Sequence, residues 1–214
     1  MNFALNEVEA TAKKAARGAG YSWGMSEEAA KATRWLCANG IDGVKALAEV
    51  LTTADSSEPD KMSPVKLRGE WQSRSGLMCP LMAGVTVSDF AGVGPADVVT
   101  ISNVVAPVLL LPFAALAARQ MGSAVTVEWG EVSTTTDGTG LSLDGAIECV
   151  ATNTQTRVTI RSAGQVGRRL AQHSRATPND VDWATLNRFA QRTYAPATDE
   201  SRLKGAGAGL SDND

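Results

Sequence analysis

The fold turns on residues 97–118, Asp97-Val98-Val99-Thr100-Ile101-Ser102-Asn103-Val104-Val105-Ala106-Pro107-Val108-Leu109-Leu110-Leu111-Pro112-Phe113-Ala114-Ala115-Leu116-Ala117-Ala118. No charged side chain lies between Asp97 and Arg119, a length that would span a bilayer as one helix. Thr100, Ser102 and Asn103 cluster in the first third, and Pro107 and Pro112 each remove a helical hydrogen bond, so a continuous spanning helix is not expected. Asp97 to Val105 instead reads as a strand, apolar or β-branched on both faces and hence central in a sheet. Pro112 suits the first turn of a helix running to about Met121, with Gly122 just past its end. The apolar run is therefore a buried strand, a bend and a helix.

Downstream, Val125, Val127 and Trp129 alternate with Thr126 and Glu128. Turn signals at Asp137-Gly138 and Asp144-Gly145 separate further strands around Leu141 to Leu143, Ala146 to Ala151 and Arg157 to Arg161, which predicts an antiparallel meander. Thr177, Pro178 and Asp180 suit N-cap, first turn and N3 of a helix carrying Trp183, Leu186, Ala190 and Tyr194. Upstream, Leu77 to Phe90 reads as another strand.

The first fifty-odd residues read as three Ala-rich helices. Asn6 is expected to cap the first, with Glu9 closing a capping box and Gly18 and Gly20 stopping it. Ser26 is expected to cap the second, which ends at Gly40, and Asp42 the third, with Val44, Leu47, Ala48 and Leu51 inward. The expected organisation is a helical segment 1–55 packed on the body, a polar linker or loop 56–76, a body 77–195 and a glycine-rich tail 196–214, one compact domain overall. The fold class is α+β: a largely antiparallel sheet flanked by helices, with an N-terminal three-helix segment.

Composition narrows the function classes. With 20 Lys and Arg against 23 Asp and Glu, the net charge is -3, which supplies no general field for a polyanion. Residues 1–55 hold seven acidic side chains against six basic ones, too balanced for helices that dock on phosphates, so no nucleic-acid partner is expected. Cys37, Cys79 and Cys149 lack any C-x-x-C spacing, and their odd number suits a reducing cytoplasm better than a disulfide framework. The N-terminus has no basic region before an apolar stretch, so no export signal is read there. No metal site and no cofactor are expected: no two cysteines share metal-ligand spacing, and the glycines near the end follow G-x-G-x-G without a preceding strand.

Two features carry candidate chemistry. Gly20-Tyr21-Ser22-Trp23-Gly24 matches G-x-S-x-G, the serine-hydrolase turn, but a helix precedes it where that motif needs a buried strand. The simpler reading is a turn between helices with Tyr21 and Trp23 as packing anchors. The second feature is a span without any acidic residue from Cys149 to Asn179, holding Arg157, Arg161, Arg168, Arg169, His173 and Arg175. Within it Ser162-Ala163-Gly164-Gln165-Val166-Gly167 follows a predicted strand, so backbone N–H groups and guanidinium forks are expected to converge on a carboxylate or phosphate. The bland alternative is a solvated edge, where basic side chains discourage pairing with other sheets.

Lys14 to Gly24 (Lys-Ala-Ala-Arg-Gly-Ala-Gly-Tyr-Ser-Trp-Gly) and Gly205 to Asp214 (Gly-Ala-Gly-Ala-Gly-Leu-Ser-Asp-Asn-Asp) together resemble an uncharacterised bacterial family known only as a domain of unknown function. The resemblance implies that both ends are family features and that the C-terminus is ordered. It implies no activity. The expected function is binding of a small anionic metabolite by Arg161, Ser162, Gly164, Gly167, Arg168, Arg169 and His173, with Tyr21 and Trp23 as an aromatic wall and no reaction class implied. The alternative from another class is a non-catalytic accessory or assembly subunit, docking on a partner or a second copy through its Ala-rich helices and the apolar stretch Val104 to Phe113.

Overall fold

The structure is a computed structural model and describes residues 1–57, 59–92, 98–144, 154–163 and 165–194. The helices are α1 (Leu5–Gly18), α2 (Trp23–Ala38), α3 (Gly43–Asp55), α4 (Pro80–Asp89), α5 (Leu111–Met121) and α6 (Asp180–Gln191). The strands are β1 (Phe3–Ala4), β2 (Glu70–Trp71), β3 (Val98–Val104), β4 (Ala124–Trp129), β5 (Val132–Thr136), β6 (Leu141–Asp144), β7 (Gln155–Ala163) and β8 (Arg175–Ala176). The fold class is α+β, with the three N-terminal helices present.

The apolar run forms the predicted strand, bend and helix, but the strand is buried on one face only: Ile101 and Val104 turn inward while Val98 and Asn103 are exposed, because among the described residues the outer sheet face carries no covering layer. Its bend is built without glycine: Asn103 (φ 50°) and Ala106 (φ 43°) both adopt left-handed backbone, which costs an ordinary residue on the order of 1–2 kcal/mol. Hydrogen bonds on either side hold it, Met78 N–H donating to Asn103 O (2.9 Å) and Val105 N–H to Met78 O (3.1 Å). Pro107–Leu110 then winds as a 3-10 turn into α5, and Val104 to Phe113 is buried throughout. Among the described residues no helix is long and apolar enough to cross a membrane.

Leu77 to Phe90 corrects the strand expectation, because Pro80 opens α4 at its first turn. The β-branched residues there suggested extended chain, yet Pro80, Ala83, Gly84 and Val87 are buried at helical spacing. Gly84 admits the Phe113 ring, which a Cβ would meet at 2.2 Å. Thr86 Oγ1 donates back to Met82 O at 2.9 Å, the bond that lets threonine sit inside a helix.

The main sheet has the order β2-β3-β7-β4-β5-β6, parallel only at β2–β3. The meander holds for β4–β5–β6, but β7 returns between β3 and β4, pairing Val158 with Ile101 and Ile160 with Val127. Period-2 alternation puts Ile101, Val158, Ile160, Val125, Val127 and Trp129 on the core face. Thr100, Arg157, Thr159, Arg161, Thr126, Glu128 and Thr135 share the opposite face. The predicted strand 146–151 and the tail 196–214 lie outside the described residues. On the core side α5 rests on β4 and β5 with α4 beside it; α2 touches both, and α1, α3 and α6 complete the helical layer.

Three helix caps differ from expectation. Ala4 N–H donates to Glu7 Oε2 (2.7 Å) at the start of α1, which leaves Asn6 inside the helix. Ser22 rather than Ser26 caps α2, its Oγ accepting from Met25 N–H (3.3 Å). Asn179 rather than Thr177 caps α6, accepting from Asp182 N–H (2.8 Å). In each case the helix starts two or four residues from the expected cap, so a different side chain meets the free N–H groups at its start. Asp42 caps α3 as expected, accepting from Lys45 N–H (3.0 Å).

Candidate functional site

The arginine-rich span is first a piece of edge architecture. Beyond β7 it runs along β6: Gly167 N–H donates to Ser142 Oγ (3.2 Å) and Leu170 N–H to Leu141 O (2.7 Å). His173 N–H then donates to Ala38 O at the end of α2 (2.8 Å), and Arg175 and Ala176 pair with the N-terminal strand. Laid this way, the span covers an otherwise open sheet edge.

Its guanidinium groups go to separate places. Arg161 stands on the polar sheet face and forks onto Glu128, Nε to Oε2 at 3.3 Å and Nη2 to Oε1 at 2.8 Å. The arginine holds the Glu128 carboxyl below its usual range. Arg157 faces Glu70 at 3.8 Å. Arg169 donates to Asp137 Oδ2 at 2.5 Å; the Asp137 carboxyl is lowered to about 2, first by the Thr139 N–H and hydroxyl and further by Gly140 N–H and the Arg169 charge. Ser162, one residue on from Arg161, belongs to the opposite side of the strand. Arg168 is exposed and has no ion pair among the described residues. Gly164 lies outside them.

Tyr21 and Trp23 do not join this set. Tyr21 is buried with its hydroxyl 3.4 Å from Cys79 Sγ, and desolvation drives its pKa far upward. Trp23 is 66% exposed. Trp23 opens α2 and Tyr21 directly precedes its Ser22 cap, whereas His173 docks at the helix's last residue, so about 22 Å of helix separates them. The same separation takes Ser22 away from the histidine a hydrolase triad would need. The Ser22 hydroxyl is engaged as a helix cap.

One half-enclosed hollow gathers members of the span. It measures about 190 Å³ and lies between the α2–α3 turn (Cys37, Gly40, Asp42) and residues 173–178, with His173, Arg175 and Thr177 on its wall. Gly40 makes room, for a Cβ there would stand 3.0 Å from His173 Nε2. The Arg175 guanidinium donates to Asn2 Oδ1 (2.7 Å) and Asn2 O (3.0 Å), and meets no carboxylate among the described residues. Burial raises the Asp42 carboxyl, with the Asp182 charge adding to it and the Lys45 N–H opposing. Burial likewise pushes the Cys37 thiol up to about 11, so at neutral pH it is a thiol and not a nucleophilic thiolate. Arg175 and Asp42 are the lining residues that sequence reading left out. Arg175 appeared there only as one of six cations, and Asp42 only as a cap.

A second hollow of about 530 Å³ is an open basin at the ends of α1 and α3. Its polar groups are already engaged: Asp55 takes both arms of Arg192 (2.6 and 2.9 Å), Ser56 Oγ donates to Thr53 O (2.9 Å) and Ser75 Oγ to Leu77 O (2.9 Å). Among the described residues no group of three His, Cys, Asp or Glu side chains gathers to hold a metal ion.

Residues 3–79 match the model of a family described as a protein of unknown function, DUF3726. The match takes in the Lys14–Gly24 stretch and one wall of the smaller hollow. No curated protein matches the chain. Among solved structures, malate dehydrogenase from Entamoeba histolytica overlaps with a TM-score of 0.44 at 12% identity, over 64% of this chain and 43% of that one. The chain thus spans less than half the length of that enzyme, and an overlap this loose carries no activity across.

Proposed function

We propose that the chain binds a small anionic molecule, a phosphate or a short carboxylic acid, in the hollow between the α2–α3 turn and residues 173–178. The observation that carries this reading is Arg175 on the hollow's wall, its charge unneutralised by any described carboxylate while Arg157, Arg161 and Arg169 each meet one. Arginine has five N–H donors, and two are used on Asn2. His173 adds a ring nitrogen on the same wall. A volume of about 190 Å³ corresponds to roughly six waters, which suits a phosphate or a short diacid and excludes a nucleotide. The protonated Cys37 thiol and the capping role of Asp42 favour binding over catalysis. Buried free thiols at Cys37 and Cys79 suit a reducing compartment such as the cytoplasm.

The test is thermal stabilisation by inorganic phosphate and a panel of short dicarboxylates. A ligand at a hundredfold excess over its Kd contributes about 2.7 kcal/mol, a rise of about 5–10 °C for a chain of this size. His173→Ala and Arg175→Ala should each remove that rise. An unchanged rise in both variants, or no rise with any member of the panel, ends the proposal. The assembly reading has a different observation behind it: Val104–Phe113 is spent inside the chain's own core, but Trp23 and Tyr194 stand exposed.

A further inference from the structure

Lys14 and Arg17 sit one turn apart on the same face of α1, and each lies on an exposed aromatic ring. The Arg17 guanidinium is 4.5 Å from the Trp23 ring centre; Lys14 Nζ is 5.6 Å from that of Tyr194 and donates to its hydroxyl at 3.1 Å. Trp23 is 66% and Tyr194 61% exposed. Neighbouring helical cations are neutralised, Lys13 by Glu27 and Arg34 by Glu9, each at 2.7 Å. Lys14 and Arg17 meet no carboxylate among the described residues. Tryptophan, tyrosine and arginine are the side chains that dominate binding energy at protein interfaces.

The opposite charge lies at the other end of α6. Its first turn presents Asp180, Val181 and Asp182, and Val181 is 76% exposed. Asp180 already faces the Met1 ammonium at 3.6 Å, whereas Asp182 meets no cation among the described residues, so Asp182 supplies the tip's free charge. Tyr194 follows the last turn of the same helix. Twelve residues of helix hold the two ends about 18 Å apart, so the basic aromatic face and the acidic apolar tip of one chain do not meet. We propose that they meet between copies: the Trp23–Tyr194 face of one chain docks the Asp180–Asp182 tip of a second, head to tail. Such a contact joins unlike surfaces, so each copy keeps one free end and association continues beyond a dimer unless a ring closes. One Trp and one Tyr bury at most about 150–250 Å² each, short of the roughly 800 Å² per partner of a standard interface. The association is therefore weak and salt-sensitive.

Sedimentation equilibrium of the full chain from micromolar to millimolar concentration, at low and high salt, tests this. The expected result is a mass that climbs with concentration at low salt and falls back at high salt. Trp23→Ala and Val181→Lys alter exposed side chains and should each be monomeric with an unchanged circular dichroism spectrum. Mixed in equal amounts they should form a dimer and nothing larger, since one variant keeps the tip and the other keeps the face. A wild-type chain that stays monomeric throughout overturns the proposal. So does association that survives Val181→Lys, which would mean that the aromatic face meets itself or another surface.

Discussion

Replacing Gly18 with alanine would drive a methyl group into the crossing of α1 and α6. A Cβ there would stand 1.8 Å from Phe189 O and 2.7 Å from its carbonyl carbon, with Arg192 Cβ at 3.3 Å. The nearest atoms are backbone, so no rotamer change relieves the clash, and the helices must part by roughly 1.6 Å to regain ordinary contact. Overpacking of this kind costs about 1–3 kcal/mol. Helix propensity returns at most about 1 kcal/mol, and less at the last residue of a helix. Parting the helices also strains the Arg192–Asp55 fork and moves the Arg192 guanidinium off the Phe189 ring, 4.5 Å away. The expected net loss is about 2 kcal/mol, or about 4–8 °C in Tm, measured by urea titration and thermal melting. Gly20→Ala is the control: its φ of +95° disfavours a side chain but nothing lies within 4 Å, so it should lose only about 1 kcal/mol. A Gly18→Ala chain as stable as the wild type would refute the close crossing.

Ser22→Ala removes the cap of α2 and should cost about 1 kcal/mol in a urea titration, with any esterase-type background unchanged because the hydroxyl serves the helix. Asp137, lowered to about 2, should stabilise the fold above the unfolded carboxyl pKa near 4 and lose that contribution as pH falls from about 4 to about 2. In Asp137→Asn that segment of the stability-versus-pH curve should flatten. A double-mutant cycle on Arg161 and Glu128, both exposed, should give a coupling of no more than about 1 kcal/mol that shrinks with added salt. A larger, salt-insensitive coupling would contradict the open sheet face on which the pair is placed.

Signals confined to a few neighbouring residues can be read from one chain alone, and here they carried the central strand, the bend at Pro107, the start of α5 at Pro112 and the Asp42 cap. Each is a contest among backbone groups within one turn of helix or one strand, so the competing atoms are adjacent in sequence. Other features depend on contacts between distant residues. Leu77 to Phe90 carries a strand-like run of β-branched residues, yet Pro80 opens a helix there, and the fit of Gly84 on Phe113, a contact across 29 positions, seats that helix in the core. The insertion of β7 between β3 and β4 depends on Val158 and Ile160 finding Ile101 and Val127, and strand order leaves no mark on the residues that pair.

The candidate site divides along the same line. A cluster of six cations without acidic neighbours in sequence reads as a shared anion site, but nearness along the chain is not nearness in space. The fold brings carboxylates from β2, β4 and the β5–β6 turn to Arg157, Arg161 and Arg169, and sends His173 and Arg175 to the end of α2 instead. Charge density along the chain thus came from the amino-acid order, whereas which charges are neutralised, and which face a hollow, came from through-space pairing of segments up to 180 residues apart. That pairing is governed by burial of the whole core, a property no single segment possesses.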